Sequence, residues 1–519
     1  MHSTSSMKPR RRIQRLVMRT SSYSVFRWVY TAFYAGILLG VLARLKRVPE
    51  IHAVELKMPG KDFCFGSSDL DLWGLIAPLS APRFLTLCDR LAGLLLPSAG
   101  WKRIIDLYLL SDSEAELKRR FDPLSLGSRR LRIMGPRANS QVERPRWPGE
   151  QLARAMYKFM TMSEELFHGS LDFQSMRVIC SGLLKIDKEI QDHHELLCQI
   201  DSGVREPIIS MASRLAAGRP VHDGQAADAL RVLALAQDEV TALALSTTFG
   251  QPNFHQLDSE LSLVEESVKP ETIDDAVNTC KAAIAELCST LAGAVRSAII
   301  GGDPGCCYGY RIYFILNDGL GVERRVEAFT ASRAFFLAPS AWRSLRYLRL
   351  PYPVVLTLPM WRAAHRWYHL ERAVEEFYFL KRHGIVLWGD DLRDQLCPPK
   401  TIDMMRSAAI ATSDLRTILW QSIHRGSKST LADTLVGRIP ALWLLLTHSR
   451  VACSASEAMN DCLANGMPHA EVLEKLHHKL RALPPEQLPK TDDTVWKPAI
   501  EVVGGLIDNL AEMALCKVS

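Results

Sequence analysis

The chain has 519 residues, 47% of them apolar and 23% charged, with a formal net charge of +6. That is enough for two or three domains with cores of their own, and the composition excludes a disordered or fibrous protein. Twelve cysteines without a Cys-x-x-Cys spacing exclude a readable zinc site or a secreted disulfide framework, so reduced thiols in a cytoplasmic protein are expected. The charge excess sits at the start: no Asp or Glu precedes Glu50, whereas Lys8, Arg10, Arg11, Arg12, Arg15, Arg19 and Arg27 do. The remainder is close to neutral and carries no strong nucleic-acid field.

Residues 1–22 read as a basic tail. The sixteen residues from Trp28 to Ala43 carry no charge. They fall short of the ~20 that span a bilayer and include Tyr30, Thr31 and Tyr34, so a packed helix is expected and a membrane partner is not. The rivals for this region are an organelle transit peptide at the Arg- and Ser-rich start and an anchor on a membrane surface, formed by residues 8 to 43. Ile51-His52-Ala53-Val54-Glu55-Leu56 then reads as a strand.

Gly66-Ser67-Ser68-Asp69-Leu70-Asp71-Leu72 is the most informative stretch. Strand side chains alternate faces, so Asp69 and Asp71 project together while Leu70 and Leu72 enter a core. The Gly-Ser-Ser turn offers backbone N–H groups and hydroxyls to a phosphate, and paired carboxylates suit Mg²⁺ or Mn²⁺. An apolar helix follows, from about Arg83 to Leu96. Trp101-Lys102-Arg103-Ile104-Ile105-Asp106-Leu107-Tyr108-Leu109-Leu110 then reads as a buried strand with one acid in its middle, which is costly to bury without a cationic partner. A metal would be that partner.

This order of strand, turn, Asp-x-Asp strand, helix and strand with a single Asp resembles the nucleotidyltransferase fold of the DNA polymerase β superfamily. The resemblance covers about Leu38 to Leu110. It implies that Asp69, Asp71 and Asp106 hold the metals, with Asp106 also the base at the acceptor hydroxyl; Gly66, Ser67 and Ser68 are the candidates to meet the nucleotide on the strength of their own N–H groups and hydroxyls. The Gly-Gly or Gly-Ser pair that the family places about ten residues before the first Asp is replaced here by Met58-Pro59-Gly60.

Residues 112 to 150 read as a basic loop containing Arg129-Arg130 and Arg132. Helical periodicity runs from 149 to 296, and Lys185 within it is a candidate phosphate contact. A second α/β stretch covers 297 to 400: Tyr310 to Leu316 and Pro353 to Leu358 are strand-like, Val322 to Phe329 alternates as a hairpin partner would, and Lys381 to Leu392 resembles the tail segment of nucleotidyltransferase domains, where a strand and turn precede the helical region. Laid on the first stretch as a degenerate copy, it puts Arg311 at Asp69, Tyr313 at Asp71 and Leu356 at Asp106. The alternative is an unrelated α/β domain. Residues 401 to 519 are helical again.

Other constellations carry less. His365 and His369 lie one helical turn apart without the glutamate of a metalloprotease helix. Gly301-Gly302-Asp303-Pro304-Gly305 lacks the Lys-Ser/Thr of a phosphate loop, and Gly66-Ser67-Ser68 lacks the Gly-x-Ser-x-Gly elbow. The fold class expected is α+β: a small mixed-sheet nucleotidyltransferase domain (23–148), a helical region (149–296), a second α/β domain and a C-terminal helical domain. The activity expected is metal-dependent transfer of a nucleoside monophosphate from an NTP, most simply ATP, to a hydroxyl acceptor with release of pyrophosphate. The acceptor is open between small molecule, RNA and protein. The rival function is a non-catalytic scaffold that keeps the fold.

Overall fold

The structure, a computed structural model, describes residues 17, 20, 23–57, 70–77, 79, 81–95, 105–122, 130–136, 262–263, 273–291, 293–301, 310–337, 354–366, 374–452, 454–483, 487–488 and 491–518. It is a mixed α+β protein with two small four-stranded sheets and a helical C-terminal region. Among the expected sites, Gly66, Ser67, Ser68, Asp69 and Lys185, together with Met58-Pro59-Gly60, lie outside the described residues, as does most of the stretch from 149 to 272.

The first sheet is entered by helix α1 (Ser24–Leu45) and built from β1 (Ile51–Lys57), β2 (Leu70–Ile76), β3 (Ile105–Leu110) and β4 (Arg130–Met134), in the order β3-β2-β1-β4. β2 runs parallel to β3, while β1 is antiparallel to both β2 and β4. A parallel pair needs a crossover, and α2 (Ala81–Leu95) supplies it between β2 and β3. Alternation along the strands separates two faces. Val54, Leu56, Leu72 and Leu107 point into the main core with Phe84, Leu87 and Leu91 of α2. Trp73, Leu75 and Leu110 point the other way with Ala53 and Ala115, in a small separate cluster.

Where a basic loop is expected from 112 onward, the chain instead forms α3 (Asp112–Phe121) and then β4. Ser111 starts α3 with a capping box: its hydroxyl accepts from the Glu114 N–H, and the Glu114 carboxylate accepts from the Ser111 N–H at 2.6 Å. β4 is illegible as a strand because Arg130 and Arg132 turn towards charged partners, so no apolar alternation marks it.

The second sheet repeats the plan. Helix α4 (Ile273–Thr290) precedes β6 (Val295–Gly301), then β7 (Arg311–Leu316), α5 (Val322–Leu337), β8 (Val354–Thr357), α6 (Leu358–Arg362), α7 (Val374–His383) and β9 (Ile385–Gly389), a two-residue β5 (Ser262–Leu263) having come before α4. Its order is β8-β7-β6-β9, with β7 and β8 parallel and the other pairs antiparallel. The expected strand from Val322 to Phe329 is therefore a helix, the crossover of this unit. Val326 and Ala328 are buried in it and Glu323 lies in its first turn; β-branched residues and a short alternation imitate a strand there.

The likeness extends to irregularities. β1 shifts register between Ile51 and Ala53 and again between Val54 and Glu55; β6 does so between Val295 and Ser297 and between Ala298 and Ile299. Gly135 after β4 and Gly389 ending β9 both have positive φ, 91° and 75°. In each, a Cβ would strike a backbone carbonyl oxygen, of His52 and Arg296 respectively. Ser111 caps α3, and Thr357 caps α6 by accepting from the Met360 N–H. Pairing each strand by its hydrogen-bond partners makes Arg311 the counterpart of Asp71, Tyr313 that of Trp73 and Leu356 that of Leu110. This corrects the sequence overlay, which differs by two residues on β7 and four on β8. An even slip leaves every side chain on its own face, so alternation cannot distinguish the registers.

The C-terminal region comprises α8 (Thr401–Arg425), α9 (Lys428–Ala432), a π turn (Asp433–Arg438), α10 (Ile439–His448), β10 (Arg450–Val451), α11 (Ala455–Ala464), α12 (Ala470–Arg481) and α13 (Asp493–Val518). α8 packs on α3, β3 and α13. A buried polar seam runs through that junction: Arg416 pairs with Glu114 of α3 at 2.8 Å and with Asp508 of α13, and Lys118 lies between Asp122 and Asp414.

Candidate functional site

Asp71 and Asp106 are direct partners in the parallel β2–β3 register, so they sit side by side on one face of the first sheet. Adjacent strands lie about 4.8 Å apart, which brings both carboxylates within reach of one small cation. Lys57 faces Asp71 from β1 and pairs with its Oδ2 at 2.9 Å, and Arg130 faces Lys57 from β4. One row across four strands thus reads Asp106, Asp71, Lys57, Arg130. From outside the sheet, Gln421 of α8 donates its Nε2 to Asp106 Oδ1 at 3.2 Å, and Thr417 one turn earlier donates to the Leu109 carbonyl at 3.0 Å, tying that helix to β3.

A second charged group lies one pleat further along. Glu55 is buried, and its carboxylate accepts from Arg132 at 2.8 Å and from Arg119 of α3 at 3.0 Å. Burial works against the ionised form, but the two guanidiniums outweigh it and hold the Glu55 carboxyl below the usual carboxylate range. The Arg130 guanidinium lies over the Trp73 ring, 3.3 Å from its centroid. Burial lowers Arg130 to about 10, against the pull of Asp71 and Glu55, so it stays charged at neutral pH. Its Nη1 and the Trp73 Nε1 are buried without a hydrogen-bond partner among the described residues.

The donor types on this face are those that a divalent cation and a phosphate take. Two convergent carboxylates are hard oxygen donors, and a buried guanidinium nitrogen with bonding capacity to spare matches a phosphate oxygen. Among the described residues no group of three His, Cys, Asp or Glu could hold a metal; the third carboxylate of the expected set, Asp69, lies outside them. Nothing in the sequence marks Lys57 or Gln421 as a site residue, and Arg130, a conceivable phosphate contact in Arg129-Arg130, reads there as part of a solvated loop. Lys57 and Arg130 share the row only through strand register, and Gln421 comes from a helix 315 residues away from Asp106.

On the second sheet the same face holds no acids among the described residues. Arg311 stands at the place of Asp71 and pairs with Glu376 of α7 at 3.0 Å, and Tyr313 donates to the same carboxylate at 3.2 Å. Gly301 stands where Lys57 does, and a side chain there would run into Leu380. Phe377 and Trp361 pack on Tyr313. Set against protein-family models, curated proteins and solved structures, the chain matches none.

Proposed function

We propose that the protein is a metal-dependent nucleotidyltransferase in which the first sheet carries the reaction and the second is a copy of the same unit that has lost it. The observation that carries this reading is the in-register pairing of Asp71 with Asp106 on one sheet face, in a row completed by two cations. Asp71 and Asp106, with Asp69 two residues before Asp71 in sequence, would hold Mg²⁺ or Mn²⁺. The metal supplies charge neutralisation at the phosphate oxygens of a bound NTP.

The protein groups then divide the work. Arg130 and Lys57 take phosphate oxygens, Lys57 exchanging its bond to Asp71 for one to the substrate. Asp106 accepts the proton of the acceptor hydroxyl, and Gln421 orients that carboxylate from α8. Positioning and charge compensation supply most of the acceleration in phosphoryl chemistry. ATP is the simplest donor, with pyrophosphate as the leaving group.

Incubating the protein with Mg²⁺, α-labelled ATP, CTP, GTP and UTP and a cell extract reads both donor and acceptor. Wild type should label one class of small molecule, RNA or protein, and Asp106→Asn should lower that transfer by at least roughly a hundredfold. Full transfer by Asp106→Asn contradicts the proposal. A second reading, a scaffold that keeps the fold without chemistry, is favoured by the Lys57–Asp71 ion pair, which already satisfies one acid. Titration calorimetry separates the two: Mg²⁺ and ATP should give heat with wild type, whereas a scaffold gives none.

A further inference from the structure

Helix α1 is built to face two ways. Tyr34, Ile37, Val41 and Leu45 are buried in the main core, and their spacing places them on one side of the helix. The opposite side, followed at the same three- and four-residue steps, is Val25, Trp28, Ala32, Gly36, Leu39 and Ala43. All six are exposed, with Val25 71%, Trp28 73% and Leu39 66% exposed. That side carries no charge over the length of the helix, and Phe26 and Phe33 flank it, both exposed.

Charge at its borders tells what covers it. The first 49 residues hold ten Lys and Arg and no Asp or Glu. Six of these, Lys8 to Arg19, precede the helix, and Arg44, Lys46 and Arg47 close it. An uncharged aromatic side framed at both ends by cations matches the boundary between anionic headgroups and acyl chains, where a helix lies in the plane with its apolar side about 5–10 Å deep. With the core-facing stripe fixed to the protein, the helix cannot stand upright and span. Among the described residues, the other helical segment apolar and long enough to cross a bilayer, Lys428–His448, is 72% buried and belongs to the core.

We propose that α1 is a membrane-surface helix that seats the first sheet on an anionic lipid bilayer. The sequence expectation of a packed helix holds for one stripe; the exposed side adds the lipid contact. This inference is independent of the transferase reading.

The test is co-sedimentation of the full chain with vesicles of phosphatidylcholine alone and with about a third phosphatidylglycerol, for wild type and a Val25→Ser/Trp28→Ser/Leu39→Ser variant. Wild type should partition onto the anionic vesicles, less so as salt rises. The variant should partition more than about tenfold less, with unchanged thermal unfolding. The proposal is overturned if wild type stays in the supernatant, or if the variant binds equally. It is also overturned if wild type without lipid is a dimer that the variant dissociates, or if the variant unfolds at lower temperature because another part of the chain covers this side.

Discussion

On the first sheet, the face that bears Asp71 and Asp106 collects Lys57, Arg130, Glu55 and Arg132 from the flanking strands; on the second, the same face is Ile299, Tyr313, Ile315 and Leu356, packed in the main core beneath α7. Strand order, register shifts and the two positive-φ glycines are shared, so the difference lies in side chains and in what covers them. An acid at the place of Arg311 would be buried beside Glu376, a like-charge pair in an apolar setting. Arginine there instead answers the glutamate of the covering helix. One sheet face is thus lined with charge and the other packed as core, and what lies over each differs accordingly.

The largest effect on folding should come from the polar seam that ties the first sheet to the C-terminal helices. Arg416→Met leaves the buried Glu114 and the partly buried Asp508 without their cation, and loss of one partner from a buried pair costs about 3–5 kcal/mol. The urea midpoint should fall accordingly. A midpoint within error of wild type would mean that the seam does not hold α8 and Gln421 to the site.

Next in size are the two glycines. Gly135→Ala and Gly389→Ala each force a side chain into the left-handed region and onto a backbone carbonyl, a strain of roughly 1–3 kcal/mol before the clash is counted. If the sheets are copies of one unit, both substitutions should destabilise, and by similar amounts in thermal melts. A large loss at one and none at the other breaks the likeness.

The smallest effect is in the pH dependence of stability. Glu55 titrates below its usual 4.5 in the folded protein, so its contribution is full above that pH and is lost as pH falls through the lower, folded value. Glu55→Gln should therefore flatten the acid limb of a stability–pH curve below about 4.5. Ile299 occupies the corresponding place on the second sheet, so no counterpart exists there. An acid limb as steep as that of wild type would assign it to other carboxylates.

These comparisons mark how far the sequence could be read. Ile51 to Leu56 and Ile105 to Leu110 are legible as strands, because apolar alternation and buried β-branched residues leave few alternatives. Asp71 and Asp106 were expected to meet, and strand register brings them side by side. β4 was hidden because its outward residues are arginines whose partner, Glu55, is 77 residues away from Arg132. Gln421 was hidden by distance along the chain, and α5 by a β-like composition that its place as a crossover overrides. The register between the two sheets is not legible in the sequence because any even slip preserves the alternation; the glycines and bulges, which fix it, carry their signal in backbone geometry.

The most direct test compares the two sheets in one transfer assay with α-labelled nucleotide. Asp71→Asn should abolish transfer, while Glu376→Gln, which breaks the Arg311 pair on the covered face, should leave it intact. Transfer that survives Asp71→Asn, or that fails equally in both variants, would contradict the assignment of the reaction to the first sheet.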